Sequence, residues 1–162
     1  MNGSINPVAA GVLIGVVLTL VVIRVLAFEV LIRRDEMTLT HDRAVQAILD
    51  AAAARGWSVP TVHHLHESSR ETGQETPAAT VIELCRPDYA ARLLENDDTR
   101  AVSVMLPCRL AVYEASNGTV VVSRINTALV SRLFGGVAQR VMTRASCASE
   151  EIVASLRGSW GG

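Results

Sequence analysis

Cys85, Cys108, Met105 and His63 carry the softest donor atoms in the best-patterned part of this chain. Thiolate, thioether and imidazole together suit Cu(I) or axial ligation of haem. Their spacings match no standard metal motif, and buried structural thiols with a core methionine are the competing reading. The same thiols could serve redox chemistry. Arg86 follows Cys85 and Arg109 follows Cys108, and a guanidinium close in space lowers a thiol pKa. Strand neighbours point to opposite faces, however, which weakens that case. Glu83, Arg109, Tyr113 and Glu114 form a second set that could line a polar patch on a sheet. A hydrolase or transferase would lack a starting point, because the sequence has neither a Gly-x-Ser-x-Gly elbow nor a phosphate loop. His63 and His66 would share a face in a helix, but without a third ligand nearby they are a weak metal signal.

The elements that must position these residues run from Thr80 to Ile125. Val81 to Cys85 reads as a strand. Pro87 then suits the first turn of a helix, where its missing N–H costs nothing, and Asp88 favours the positive helix N-terminus. Ala90, Leu93 and Leu94 mark one helical face, and Asn96-Asp97-Asp98 ends it. Leu110 to Tyr113 is a second strand and Val120 to Val122 a third. Asn117-Gly118 between them is a strong hairpin signal, since both residues tolerate positive φ. Alternation puts Leu110, Val112 and Cys108 on one face and Arg109 and Tyr113 on the other. If Ile82 and Leu84 face helices together with Leu110 and Val112, Cys85 and Cys108 point to opposite sides. Asn126 caps a helix starting at Thr127. Leu129, Val130, Leu133 and Phe134 form its apolar side, and Gly135-Gly136 interrupts it. A helix resumes over 137–156, with Ser149 as a cap for a final short piece.

Upstream, Thr40 caps a helix through Arg55, with Ala44, Val45, Ile48, Leu49 and Ala52 at helical spacing and Gly56 as its stop. Trp57 to Val62 is extended, and Pro60 makes it an edge strand or loop. Before that, Val8 to Ile23 is apolar apart from Thr19. That stretch alone rises about 24 Å, and continuing through Phe28 reaches the roughly 30 Å of a bilayer core if Arg24 snorkels. The n-region lacks the basic residue of a cleaved signal peptide, so a transmembrane helix is expected. Arg24 and Glu29 read as an interfacial ionic belt. Arg24, Arg33 and Arg34 all lie on the C-terminal side, which places the following domain in the cytoplasm by the positive-inside rule, with the periplasm as the alternative.

Net charge is -1, so nothing draws the chain to nucleic acid. All 15 basic residues are arginine, which removes lysine chemistry such as a Schiff base. Three cysteines without a Cys-x-x-Cys pair do not make a disulfide framework.

Several stretches resemble the domain of unknown function 302 family: Gly56–Leu65, Val81–Asp98, Val102–Glu114 and Ser123–Gly136. The family's Glu-Leu-Cys-x-Pro motif falls on Glu83, Leu84, Cys85 and Pro87, and its Pro-Cys-Arg motif on Pro107, Cys108 and Arg109. The chain departs from the family's usual residues at Arg86 and His64. The resemblance implies a compact α+β domain with an antiparallel sheet, often dimeric, whose biochemical function is unsettled.

The expected architecture is therefore α+β, a small antiparallel sheet packed with helices after one N-terminal transmembrane helix. The expected parts are a tail over 1–7, the membrane segment and its interfacial end over 8–32, a linker or first strand over 33–39, the domain over 40–157, and a flexible tail over 158–162 whose Trp160 can reach a membrane interface. The expected role is a binding or assembly module of the cell inner membrane, held in the bilayer through residues 8–32 and homodimeric, with a membrane protein partner as a further expectation. A dimer would cover an exposed sheet edge. The runner-up is a redox-linked haem- or soft-metal-binding protein using Cys85, Cys108, His63 or Met105.

Overall fold

A computed structural model describes residues 6–157. The expected tail over 158–162, Trp160 included, lies outside them, as do residues 1–5.

The first element, α1 (Pro7–Leu31), starts as its sequence dictates. Pro7 sits in the first turn, and the Asn6 side chain accepts a hydrogen bond from the Val8 N–H at 3.1 Å. Ala10–Leu31 has a mean hydropathy of 2.7 and is long and apolar enough to cross a membrane. No linker follows. Leu31 ends the helix and Ile32 begins β1 (Ile32–Met37), so the segment expected as linker or strand is a strand. Glu29 pairs with Arg34, whose guanidinium lies 5.3 Å from the centre of the Phe28 ring. Glu29, read from sequence together with Arg24, thus has Arg34 as its partner.

The rest is α+β. β1, β2 (Val62–His64), β3 (Ala79–Leu84), β4 (Cys108–Glu114) and β5 (Val120–Ile125) form one antiparallel sheet in the order β1-β5-β4-β3-β2. The β4–β5 hairpin turns at Gly118, with φ +82°, and Asn117 Oδ1 accepts from the Thr119 N–H at 3.0 Å. β2 is an edge strand, as the Pro60 signal suggested, but it starts only at Val62, beyond the residue that cannot donate to a ladder.

Helices cover one face. Thr80, Ile82, Leu84, Leu110, Val112 and Val122 are fully or almost fully buried there, which is what strict alternation predicts for strands with one covered face. They meet α2 (His41–Ala54) through Ala44, Ile48 and Ala52, and α7 (Gly136–Arg157) through Ile152, Val153 and Leu156. A smaller cluster joins α4 (Pro87–Leu94) to α7, with Leu93 at its centre against Val141 and Met142. Between α4 and β4 run the short α5 (Asp97–Arg100) and a 3₁₀ turn over Ala101–Met105. α3 (Leu65–Glu71) follows β2, and α6 (Thr127–Val130), capped by Asn126 as expected, leads through a 3₁₀ turn into α7.

Two expectations need correction. α7 is continuous to Arg157, because Ser149 is buried within it and donates to the Ser146 carbonyl at 2.8 Å rather than opening a new helix. His63 and His66 do not share a helical face. His63 lies in β2 and His66 in α3, so the backbone changes from period 2 to period 3.6 between them.

Candidate functional site

Among the described residues, the other face of the sheet carries no helix layer. Alternation puts His63, Val81, Glu83, Arg109, Ala111, Tyr113 and Ser123 on it, and the register decides which of them meet. Glu83 lies opposite Arg109, Val81 opposite Ala111, and Ala111 opposite Ser123. Glu83 Oε1 accepts from Arg109 Nε at 3.3 Å and lies 3.4 Å from His63 Nε2. Its carboxylate is mostly buried between the two, whereas Arg109 and His63 are exposed. The carboxylate orients both side chains and, with Arg109, presents a charged, salt-sensitive patch to solvent. Continuous with it is a shallow groove of about 200 Å³ lined by Ile32, Val81, Ala111, Ser123 and Ile125 together with Arg109 and Arg124, its floor kept open by the small Ala111–Ser123 pair.

Of the polar set read from sequence, Glu83 and Arg109 are thus together. Tyr113 shares their face further along β4, and Glu114 falls on the opposite parity at the hairpin end, away from them. His63, expected among the soft donors, joins this polar patch instead.

Met105 and Cys108 both line a small cavity of about 140 Å³, together with Arg124, Thr127 and Ser149. Cys85 lies outside it, bridged to Ser58 by paired backbone hydrogen bonds of 2.9 Å. Burial pushes the Cys108 thiol pKa up, and Cys85 adds a smaller push in the same direction. A thiol held protonated is a poor nucleophile and a poor metal ligand. All three cysteines are free. Among the described residues, no group of three or more His, Cys, Asp or Glu is arranged to hold a metal ion.

This gives a direct expectation for thiol chemistry. At neutral pH, exposed Cys147 is expected to react with iodoacetamide at least about tenfold faster than Cys108 in the folded protein, with the two rates converging in urea. Mass spectrometry of the alkylated peptides measures both. Equal rates in the folded state would mean that Cys108 is an accessible thiolate. Because folding raises this pKa, the associated stability is complete below the ordinary thiol range of about 8.5 and is lost as pH rises through the folded value.

Sequence reasoning missed two groupings. Arg124, on the helix-covered face of β5, is buried and bonds Glu150 through two nitrogens, one of them Nε to Oε1 at 2.9 Å, as well as Asp35. Arg157 pairs with Asp35 from the far end of α7, and Arg33 lies 3.9 Å from Glu150. The signal was an arginine at an inward strand position, but no sequence spacing links residues 35, 124 and 150. The second grouping is His41, His64 and His66, whose rings meet edge to face at 5.7 and 6.0 Å between centres. His66 Nδ1 lies at Ala79, 3.0 Å from its carbonyl oxygen and 3.2 Å from its nitrogen, and His64 lies 3.3 Å from the Thr80 hydroxyl. These contacts close the β2–α3 corner onto β3.

The sheet order, the Glu83-Leu84-Cys85 strand leading into Pro87, and the Pro107-Cys108-Arg109 strand start now stand together in one domain. The domain of unknown function DUF302 matches residues 35–156. The chain belongs to the DUF302 family. Its fold is that of an uncharacterized conserved DUF302 protein from Bacillus stearothermophilus, known from a crystal structure. The two share 19% identity with a TM-score of 0.70 over 78% of this chain and 98% of that one. Among proteins with curated functions nothing matches. The DUF302 match begins at Asp35, so α1 and the first residues of β1 precede it.

Proposed function

We propose that this DUF302 chain is a single-pass membrane-anchored assembly module that pairs with a second copy through the uncovered face of its sheet. The observation that carries it is that face itself: a shallow groove over Ala111 and Ser123, beside a charged rim of Glu83 and Arg109 that holds both signs. A surface with both charges beside an apolar floor can meet its own copy across a two-fold axis, where each patch faces the same patch. The face suits this better than the sheet edges. Edge strand β1 is rich in charge at Arg33, Arg34, Asp35 and Glu36, and edge strand β2 has only three residues, both devices that discourage edge pairing. α1 supplies the anchor. With Arg33 and Arg34 directly after it, the positive-inside rule favours a cytoplasmic domain at the inner membrane.

The test is Ala111→Arg in detergent-purified full-length protein. On the open face the new side chain reaches water in a monomer, so the circular dichroism spectrum and melting temperature should hold. In a dimer it fills the groove floor with charge, and a dissociation constant at least tenfold weaker, about 1.4 kcal/mol, is expected by analytical ultracentrifugation. Wild-type protein that stays monomeric at micromolar concentration, or a variant that dimerises unchanged, would sink the proposal.

A further inference from the structure

We infer that the turn carrying Leu133 and Phe134 rests on the lipid surface beside α1, so that the domain touches the bilayer at a second point. This rests on the reading of α1 as the membrane span. The segment that leads into this turn is fixed against the end of that helix. The Asn126 side-chain nitrogen donates to the Val30 carbonyl at 3.0 Å, and the Asn126 N–H donates to the Leu31 carbonyl at 2.7 Å. Ile125 lies opposite Ile32, the first residue beyond α1. The last turn of α1 and the segment from Ile125 therefore occupy the same level.

The inner side of the segment is fixed as firmly. Buried Ser131 donates to the Ala128 carbonyl at 2.8 Å and meets the Thr143 hydroxyl at 3.0 Å, while the Ala128 N–H donates to Ser146 Oγ at 3.2 Å. Held in this way, the segment turns Leu133 and Phe134 outward, 82% and 45% exposed. Single exposed apolar residues are ordinary on a protein surface. Here two adjacent ones sit on a pinned turn that follows directly on α6, and α6 packs against α1, whose end carries exposed Phe28 and Leu31. Exposed Arg132 beside them places a guanidinium where lipid phosphates lie, with its stem along the apolar layer. A lipid surface fits this pattern of apolar tips and one flanking cation.

The experiment uses full-length protein in phosphatidylcholine–phosphatidylglycerol vesicles. Leu133→Trp is made in a Trp160→Phe background, where buried Trp57 is the internal reference. Ser116→Trp at the hairpin tip, the opposite end of β5 from Ile125, is the water-facing control. Lipid brominated near the headgroup end of its acyl chains is expected to quench at least half of the Leu133→Trp signal. Aqueous iodide should quench it at least threefold less than the Ser116→Trp signal. Quenching by iodide and not by bromolipid overturns the inference, and protection from both also overturns it by showing a protein cover such as a second copy. Alkaline carbonate extraction separates the two layers. If the Leu133→Trp chain stays in the membrane while its new indole is exposed to water, only this inference falls. A chain released by carbonate removes the span reading together with it.

Discussion

Arg124→Ala is expected to destabilise the domain by about 3–5 kcal/mol, the usual cost of leaving buried charge without its partner. Arg124 is 7% exposed and bonds carboxylates from two other elements, Asp35 on β1 and Glu150 on α7. Removing it leaves both carboxylates facing one another across a vacated guanidinium. Arg157 and Arg33 remain near them, but each is about half exposed and is screened by water. Arg124→Lys keeps the charge and loses the paired geometry with Glu150, and so should fall between wild type and alanine. The triple change Arg124→Met, Asp35→Leu, Glu150→Leu should recover much of the loss, because a buried ion cluster is often no better than an apolar one of similar volume. Urea unfolding of full-length protein in detergent measures all three. A loss below about 1 kcal/mol for Arg124→Ala would mean that water reaches the cluster and that the ions are solvated rather than buried. β1 continues directly from α1, and Arg124 is the buried member of an ion network that joins β1 to α7, with Arg157 and Arg33 as its exposed members.

Local signals in the sequence placed most elements. Pro87 with Asp88 opened α4, Asn117-Gly118 made the hairpin, and Asn126 capped α6, each by a mechanism acting within a few residues. Alternation also paired Ile82 with Leu84 and Leu110 with Val112, and the structure puts all four on the covered face. Partnership across the fold was harder to read. Strand alternation says which way Glu83 and His63 point, but only the β2–β3–β4 register brings both onto one carboxylate with Arg109. His63 was grouped with the soft donors because its chemistry suits a metal, and the sheet sets it beside the Glu83 carboxylate instead. The floor of the open face was missed for a related reason. Ala111 and Ser123 are chemically quiet, and their meaning lies in being small and opposite one another, a property of the strand pair rather than of either residue. The grouping of His41 with His64 and His66 was missed because the first comes from α2, while a change of backbone period separates His66 from the strand that carries His63 and His64.

The second large effect is expected at Ile82, where Ile82→Ala should cost about 3–4 kcal/mol and lower the melting temperature by roughly 10 °C. Ile82 is fully buried in β3, flanked in register by Val62 on β2 and by Leu110 on β4, with helices above. Truncation removes three carbons that have no water to return to. The neighbours are held by ladder hydrogen bonds on both sides and cannot collapse fully into the space, so the cavity term adds to the lost transfer energy. Ile82→Val removes one carbon and should cost about 0.5–1.5 kcal/mol. Leu94→Ala is the useful contrast, since Leu94 ends α4 partly in water and should change stability by less than about 1 kcal/mol. Thermal unfolding followed by near-ultraviolet circular dichroism separates these cases. If Ile82→Ala and Leu94→Ala cost the same, the covered face of the sheet is not the close-packed centre of the domain, and the open face loses its standing as the side left for a partner.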